Sequence, residues 1–190
     1  MRLGIFGGSF DPPHLGHLLP VIDAAESLGL DAVHFVPAAT QPFKAGCANA
    51  TPEQRLAMTE RLVAGIPGFR ADRTELDRPG LSFTVETLDA LSGTHPGDEL
   101  VLLIGADAFA LFDKWKEPQR ILAMASIAVL VRGGEQEPDT GARAGVQLLQ
   151  TRRVDISSTE LRARVAAGRT IRGFVPDAVA DYIAEHRLYT

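Results

Sequence analysis

Cysteine occurs once in this chain, at Cys47, so no disulfide can form within it, and the scarcity suits a reducing compartment. An excess of basic charge is also missing. Nineteen Lys and Arg stand against 24 Asp and Glu, a net charge of −5, whereas a general nucleic-acid binder would normally be basic. No apolar run is long enough to span a bilayer. The longest nearly apolar stretch is Ile121 to Val131, eleven residues with Ser126 inside it and Arg120 and Arg132 at its ends. The first apolar segment starts almost at once with Leu3, which leaves no room for a signal peptide ahead of it. No internal repeat is visible. What remains is a chain of 190 residues, 45% hydrophobic, expected to fold as one domain over residues 1–190 and to be soluble and cytoplasmic. A chain of this size buries about 70% of its unfolded surface without staples. The composition implies no nucleic-acid and no membrane partner and leaves a homo-oligomer open.

The pattern along the chain alternates. Leu3–Phe6 reads as a strand ending in Gly7-Gly8, and Gly16–Gly29 has helical spacing. Ala32–Pro37 is a second strand. Pro52–Ile66 is an amphipathic helix with Thr51 as its N-cap and Pro52 at its first position. Phe69–Arg73 is a short strand and Phe83–Leu91 a helix. Leu100–Ile104 is continuously apolar, as suits a strand buried on both faces of a parallel sheet. Asp107–Trp115 and Pro118–Ala125 read as helices, Ile127–Val131 and Leu148–Val154 as strands, and Ser158–Ala167 and Pro176–His186 as closing helices. The polar, Gly-bearing stretch Gly133–Gly145 reads as a surface loop. Such alternation predicts an α/β architecture with a mainly parallel sheet flanked by helices. Ligands of these sheets bind beyond the carboxyl ends of the strands. The chemically interesting residues all follow strands: Gly7–His17, Pro37–Lys44, Gly105–Asp107 and Arg132.

The turn after the first strand reads GGSFDPPHLGHL. It is neither the dinucleotide fingerprint GxGxxG nor the P-loop GxxxxGK[ST], so a hydride-transfer or Walker-type reading lacks its motif. Pro20 is tolerated only near the start of a helix, which predicts a helix beginning at Gly16 or His17. His14 then stands just before that N-terminus and His17 in its first turn. Free amides and the helix dipole attract phosphate there, and Gly16 would let a ligand approach the backbone. A zinc site lacks a third Cys, His or carboxylate at ligand spacing nearby, and no protein metal ligand is expected.

The second constellation is ISSTELR, Ile156 to Arg162. Ser157 and Glu160 have capping-box spacing, and Ser158 and Arg162, four apart, share a helix face. Six arginines against Asp155 and Glu160 between Arg152 and Arg172 make this stretch locally +4. A second anion-ready helix start suggests a polyphosphate held between two helix N-termini.

GIFGGSFDPPHLGH with ISSTELR resembles the adenylyltransferases that carry [TH]xGH and ISSTxxR motifs. In particular the chain resembles the nicotinate mononucleotide adenylyltransferase family, through EQRLAM (Glu53–Met58), LSFTVETL (Leu81–Leu88), LLIGADAFALFDKW (Leu102–Trp115) and VPDAVADYIAEHRLY near the end. The resemblance implies a Rossmann-like nucleotidyltransferase fold with a small C-terminal helical part. It implies transfer of AMP from ATP to nicotinate mononucleotide, giving nicotinate adenine dinucleotide and pyrophosphate in NAD biosynthesis. It implies Mg²⁺ held mainly through ATP phosphates and water. By similarity His14 and His17 hold the ATP phosphates and, with Arg162, form the catalytic set. Ser157, Ser158 and Thr159, next to Ile156, cradle the outer phosphates with amides and hydroxyls. Gly7, Gly8 and Ser9 line the floor, with Phe10 and Gly16 also on the ATP side. Lys44 approaches the phosphates from the loop after the second strand. Arg132 contacts phosphate on the mononucleotide side, Asp107 after Gly105 takes ribose hydroxyls, and Phe83, Thr84 and Trp115 form the nicotinate pocket.

Some positions depart from the family pattern. QPFK stands where PPHK or PPHR is frequent, so Phe43 replaces a histidine. Ala38 and Ala39 replace asparagines, and Phe83 replaces a tyrosine. The rival readings are a pantetheine-phosphate adenylyltransferase, a dual-specificity mononucleotide adenylyltransferase and a nucleotide sensor without turnover. Ser82 is expected to cap the Phe83–Leu91 helix. Capping would leave the amides of Phe83 and Thr84 to take the nicotinate carboxylate, with Lys44 and Arg132 dispensable for that discrimination.

Overall fold

The computed structural model describes residues 1–40, 49–78, 80–134, 136–141 and 143–190. Six parallel strands form one sheet: β1 Arg2–Gly8, β2 Ala32–Pro37, β3 Phe69–Ala71, β4 Glu99–Gly105, β5 Ser126–Arg132 and β6 Val146–Thr151. Their spatial order is β3-β2-β1-β4-β5-β6. The chain winds outward from β1 to β3, then returns to β4 on the other side of β1 and winds outward again. The crevice between the carboxyl ends of β1 and β4 is therefore the topological switch point where such sheets take ligands. Gly8 pairs with Pro37, and Gly105 with Leu130, so the strand ends that feed this crevice are in register.

Period-two alternation splits the strand residues between two cores. Val33, Phe35, Val101, Leu103, Ala128 and Leu130 face one layer of helices. That layer holds α1 Leu15–Leu28, α2 Pro52–Val63 and the C-terminal α7 Asp177–Glu185. Leu3, Ile5, Val36, Leu102, Ile104, Ile127 and Val129 face α3 Thr84–Thr94 and α5 Pro118–Met124. Burial on both faces is why the β4 and β5 runs are continuously apolar. The α/β expectation is met, as is each expected strand. No helix among the described residues is long and apolar enough to cross a membrane.

Several boundaries differ from expectation. Helix α1 begins at Leu15 with His14 as N-cap, one residue early, so Pro20 sits in its second turn and offers no amide to Gly16's carbonyl. The stretch expected as one helix over Asp107–Trp115 is instead α4 Ala106–Phe109 followed by a short 3₁₀ turn, Phe112–Lys114. Phe109 and Phe112 are buried and stacked at 5.8 Å, a three-residue spacing that suits the tighter turn. Strand β6 starts two residues early, at Val146. Thr51 caps α2 as expected, accepting from the Gln54 amide at 3.2 Å. Ser82 does not cap α3. Phe83 is the N-cap there, and the Ser82 hydroxyl accepts instead from the Ala39 amide at 2.9 Å.

Candidate active site

A cavity of about 840 Å³ opens beyond the carboxyl ends of β1, β2 and β5, beside the switch point. Two helix starts face each other across it: that of α1, after the turn leaving β1, and that of α6 Ser158–Ala166, after β6. Direct bonds hold them together. Ser158 Oγ donates to the Pro12 carbonyl at 2.8 Å, and Arg162 Nη1 to the Asp11 carbonyl at 2.7 Å. The sequence places these partners about 150 residues apart, and the sheet brings them to one point.

Gly16 explains the closeness of this joint. A Cβ at Gly16 would lie 2.9 Å from His14 Nδ1 and 3.2 Å from the Ile156 carbonyl. The open side of this glycine was expected to admit a ligand, but the protein's own imidazole and the α6 turn fill it. Gly16→Ala is accordingly expected to cost about 1–3 kcal/mol of stability, as overpacking of this kind does. Chemical denaturation measures it, and an unchanged unfolding free energy would contradict the packing described.

The two imidazoles stack with ring centroids 3.8 Å apart. His17 Nδ1 accepts from the His14 backbone amide at 3.3 Å, so in the neutral ring the proton is on Nε2, which is then a donor. The Phe10 ring stands edge-on to His17 at 5.2 Å and is itself buried, so it braces His17. Both histidines stay neutral near pH 7. Burial, then the Arg132 charge, pushes His14 down to about 4. Burial, then His14 and Arg132, holds His17 well below the usual range. Two stacked imidazolium ions would repel each other, which reinforces the neutral state.

This has a consequence for stability. The folded His14 pKa lies below the unfolded value of about 6.5, so the unfolded chain takes up the proton first. Stability is full above pH 6.5 and is lost as the pH falls to about 4, by about 3 kcal/mol from this group. In phosphate-free buffer, the wild type should lose about that much more than His14→Gln between pH 7 and 4. Parallel pH curves for the two proteins would refute it.

Ser9, Phe10, His14, Gly16, His17, Ile156, Ser157, Ser158, Thr159 and Arg162 all line the cavity, as does Arg132. Arg132 was assigned to the mononucleotide side, yet its charge acts on both histidines. The ISST hydroxyls are largely committed within the protein. Ser157 Oγ accepts from the Glu160 amide, Ser158 Oγ donates to Pro12, and Thr159 Oγ1 accepts from Arg162 Nη2 at 3.1 Å. The backbone amides of Ser158 and Thr159, which open α6, are the donors this arrangement leaves for an anion, since the Glu160 and Leu161 amides bond to Ser157. Of the six arginines in the basic stretch, Arg162 lines the cavity. Arg152 pairs with Asp23, Arg153 with Asp155, and Arg172 with Asp177 and Asp181.

The remaining expected residues lie elsewhere. Gly7 and Gly8 end β1, where Gly8 leaves room for the Phe10 ring: a Cβ there would meet it at 2.9 Å. Phe83 and Thr84 begin α3, Gly105 caps α4, and Asp107 is exposed in its first turn. Phe83 and Trp115 both pack against the core beneath α3 and α5, and Lys116 Nζ lies 4.7 Å from the Phe83 ring centroid, which brings these segments together. None of these seven lines the cavity between α1 and α6. Lys44 and Phe43 fall outside the described residues.

Sequence reading passed over three residues. Arg55, only 2% exposed, bridges the two loops of the site, donating to Ser9 O at 2.7 Å and Ala39 O at 3.2 Å. A charge on the face of α2 that also carries Met58 and Leu62 was the available signal. Asp11, on the cavity wall, meets Tyr189, a contact between positions 178 apart that carries no local signal.

The chain matches the cytidylyltransferase-like family over residues 5–164. A relative from Gemmatimonas aurantiaca is 46% identical over 198 residues, covering all of this chain and 92% of its own length. Another from Thermus thermophilus is 47% identical over 189 residues, with both chains fully covered. Both relatives bear the name probable nicotinate-nucleotide adenylyltransferase. Among solved structures, the nicotinic acid mononucleotide adenylyltransferase of Plasmodium falciparum complexed with NaAD superposes with a TM-score of 0.81. It covers 99% of this chain and 97% of that one at 19% identity, a likeness of fold.

Proposed function

Since the chain belongs to the nicotinate-nucleotide adenylyltransferases of the cytidylyltransferase-like family, we propose that it transfers the AMP moiety of ATP to nicotinate mononucleotide. The observation that carries this reading is the apposition of two helix N-termini across one cavity, with His14, His17, Arg132 and Arg162 on its wall. An oxygen of the acceptor phosphate attacks the α-phosphorus of ATP. The bond between that phosphorus and the bridging oxygen breaks, and pyrophosphate leaves with the electron pair. The acceptor is a phosphate monoester with a second pKa of about 6, so it is largely dianionic at pH 7 and needs no general base. The protein's task is to hold two polyanions together and to stabilise charge on the α-phosphate and the leaving group. Neutral His17 donates through Nε2, Arg162 offers a fixed fork, and the amides of α1 and α6 add their dipoles.

Mg²⁺ would arrive with the nucleotide as MgATP and would be held mainly by phosphate oxygens and water, supplying charge neutralisation there. The carboxylate on the cavity wall is Asp11, both of whose oxygens already accept hydrogen bonds from the protein. Among the described residues no group of three His, Cys, Asp or Glu could hold a metal ion. The cytoplasm, where ATP is abundant, is the compartment this reaction suits.

Acid selectivity is read from the start of α3. Phe83, the N-cap, has no side-chain oxygen, so the Thr84 and Val85 amides that open α3 are available to an acceptor carboxylate, while the Glu86 and Thr87 amides bond to the Phe83 carbonyl. A hydrogen bond to a charged group contributes about 1.5–3 kcal/mol, which at 1.4 kcal/mol per decade predicts roughly 10–100-fold preference for nicotinate over nicotinamide mononucleotide. The ratio of kcat/KM for the two acceptors measures it, and the ratio should persist in Lys44→Ala and Arg132→Ala. Equal use of both by the wild type would make the enzyme dual-specific, and turnover with neither would end this reading.

A further inference from the structure

The wall of a cavity that takes polyphosphate is an unfavourable place for a carboxylate, yet Asp11 is there, only 4% exposed. Protein donors account for its presence. Oδ2 accepts from the Asn49 amide at 2.8 Å and from Asn49 Nδ2 at 3.4 Å, while Oδ1 accepts from the Ala50 amide at 3.1 Å. The remaining donor comes from the far end of the chain: Tyr189 Oη donates a hydrogen bond to Oδ1 at 2.7 Å. Burial, then the bond to Asp11, drives the phenol far above its ordinary range, so it remains the donor at any working pH.

The backbone supports the importance of this contact. Arg187 and Tyr189 hold φ of +49° and +63°, a region that side-chain-bearing residues seldom adopt and keep only where surrounding contacts hold them. Leu188 between them is buried, and its amide bonds to the Ile183 carbonyl at 3.0 Å, so the tail is tied to α7.

Asp11 in turn holds two parts of the site. Its carboxylate fixes Asn49 and Ala50, the cavity wall that leads into α2. Its carbonyl accepts from Arg162 Nη1. We infer that Tyr189 is a positioning residue for ATP: its hydroxyl fixes Asp11, and Asp11 sets both the Arg162 guanidinium and the Asn49–Ala50 wall against the nucleotide's phosphates. This rests on the reading of the cavity as the ATP site.

The test compares the wild type with Tyr189→Phe and Tyr189→Leu in the full chain. ATP affinity is measured by calorimetry without acceptor, and KM and kcat by steady-state turnover. Loss of one hydrogen bond to a charged group is expected to raise the ATP Kd and KM by roughly tenfold. Phenylalanine should be no better than leucine, and the KM for the acceptor should stay within about twofold of the wild type. Wild-type ATP affinity in Tyr189→Phe would reduce the residue to a packing role and overturn the inference. So would equal rises in both KM values. If Tyr189→Leu does not fold, Tyr189→Phe decides alone. A wild type that binds ATP but transfers to no mononucleotide would end the proposed function while leaving this comparison valid.

Discussion

His17→Ala is expected to lower kcat by about 10²–10³, the usual loss for one preorganised donor aimed at developing charge. The ring stands at the third position of α1 and is held from two sides. Its Nδ1 accepts from the His14 amide, and Phe10 meets it edge-on. That anchoring fixes the tautomer and turns Nε2 into a donor without requiring a positive charge, in keeping with a pKa held well below the usual range. His17→Gln, which restores a neutral N–H at similar reach, should recover part of the loss. The fold should survive, since the side chain is half-buried and Phe10 still packs against Phe6 and Phe35 without it. Single-turnover rates on variants with native thermal transitions are the measurement. Turnover of folded His17→Ala near the wild-type rate would remove His17 from the chemistry.

Arg162→Ala should lower kcat/KM for ATP by a comparable factor, about 10²-fold, and Arg162→Lys should recover little of it. The guanidinium is already committed in two directions, Nη1 to the Asp11 carbonyl and Nη2 to Thr159 Oγ1. These bonds orient the planar fork, and its remaining N–H groups can meet a phosphate pairwise. A lysine ammonium is a point charge that cannot keep both anchors and present a second pair of donors. Full activity of Arg162→Lys would show that charge alone suffices. Wild-type kinetics of Arg162→Ala would take the residue out of the site.

The order of strands and helices was legible because each element buries a face: alternation in β1 and β2, unbroken apolar runs in β4 and β5, and 3.6-residue spacing in α2. The convergence of the two motifs on one cavity was legible for a related reason. His14, His17 and ISSTELR are compact motifs whose chemistry is local to one turn. Features decided by distant contacts could not be read this way. Ser82 has the chemistry of a cap, but the Ala39 amide claims its hydroxyl. Gly16 looked like room for a ligand, and only folding shows Ile156 and His14 filling it. Ser157 caps the Glu160 amide as its spacing predicts, but the Ser158 and Thr159 hydroxyls, expected to cradle phosphate, are taken by the Pro12 carbonyl and Arg162. The basic stretch looked like a field for polyphosphate, but Asp23, Asp177 and Asp181, brought in from elsewhere in the chain, pair with two of its six arginines, and Asp155 with a third. Arg55 and Asp11 are charged groups doing structural work at the base of the cavity, which neither composition nor periodicity distinguishes from solvated charges.

The central claim is transfer to a pyridine mononucleotide by direct attack of its phosphate. It is tested most directly by incubating the purified protein with MgATP and each of three acceptors: nicotinate mononucleotide, nicotinamide mononucleotide and phosphopantetheine. Pyrophosphate release and the dinucleotide product are then quantified together. The account predicts one pyrophosphate per dinucleotide formed, fastest with nicotinate mononucleotide, and no release without an acceptor or with phosphopantetheine. Faster release with phosphopantetheine, or release that does not depend on any acceptor, would contradict it.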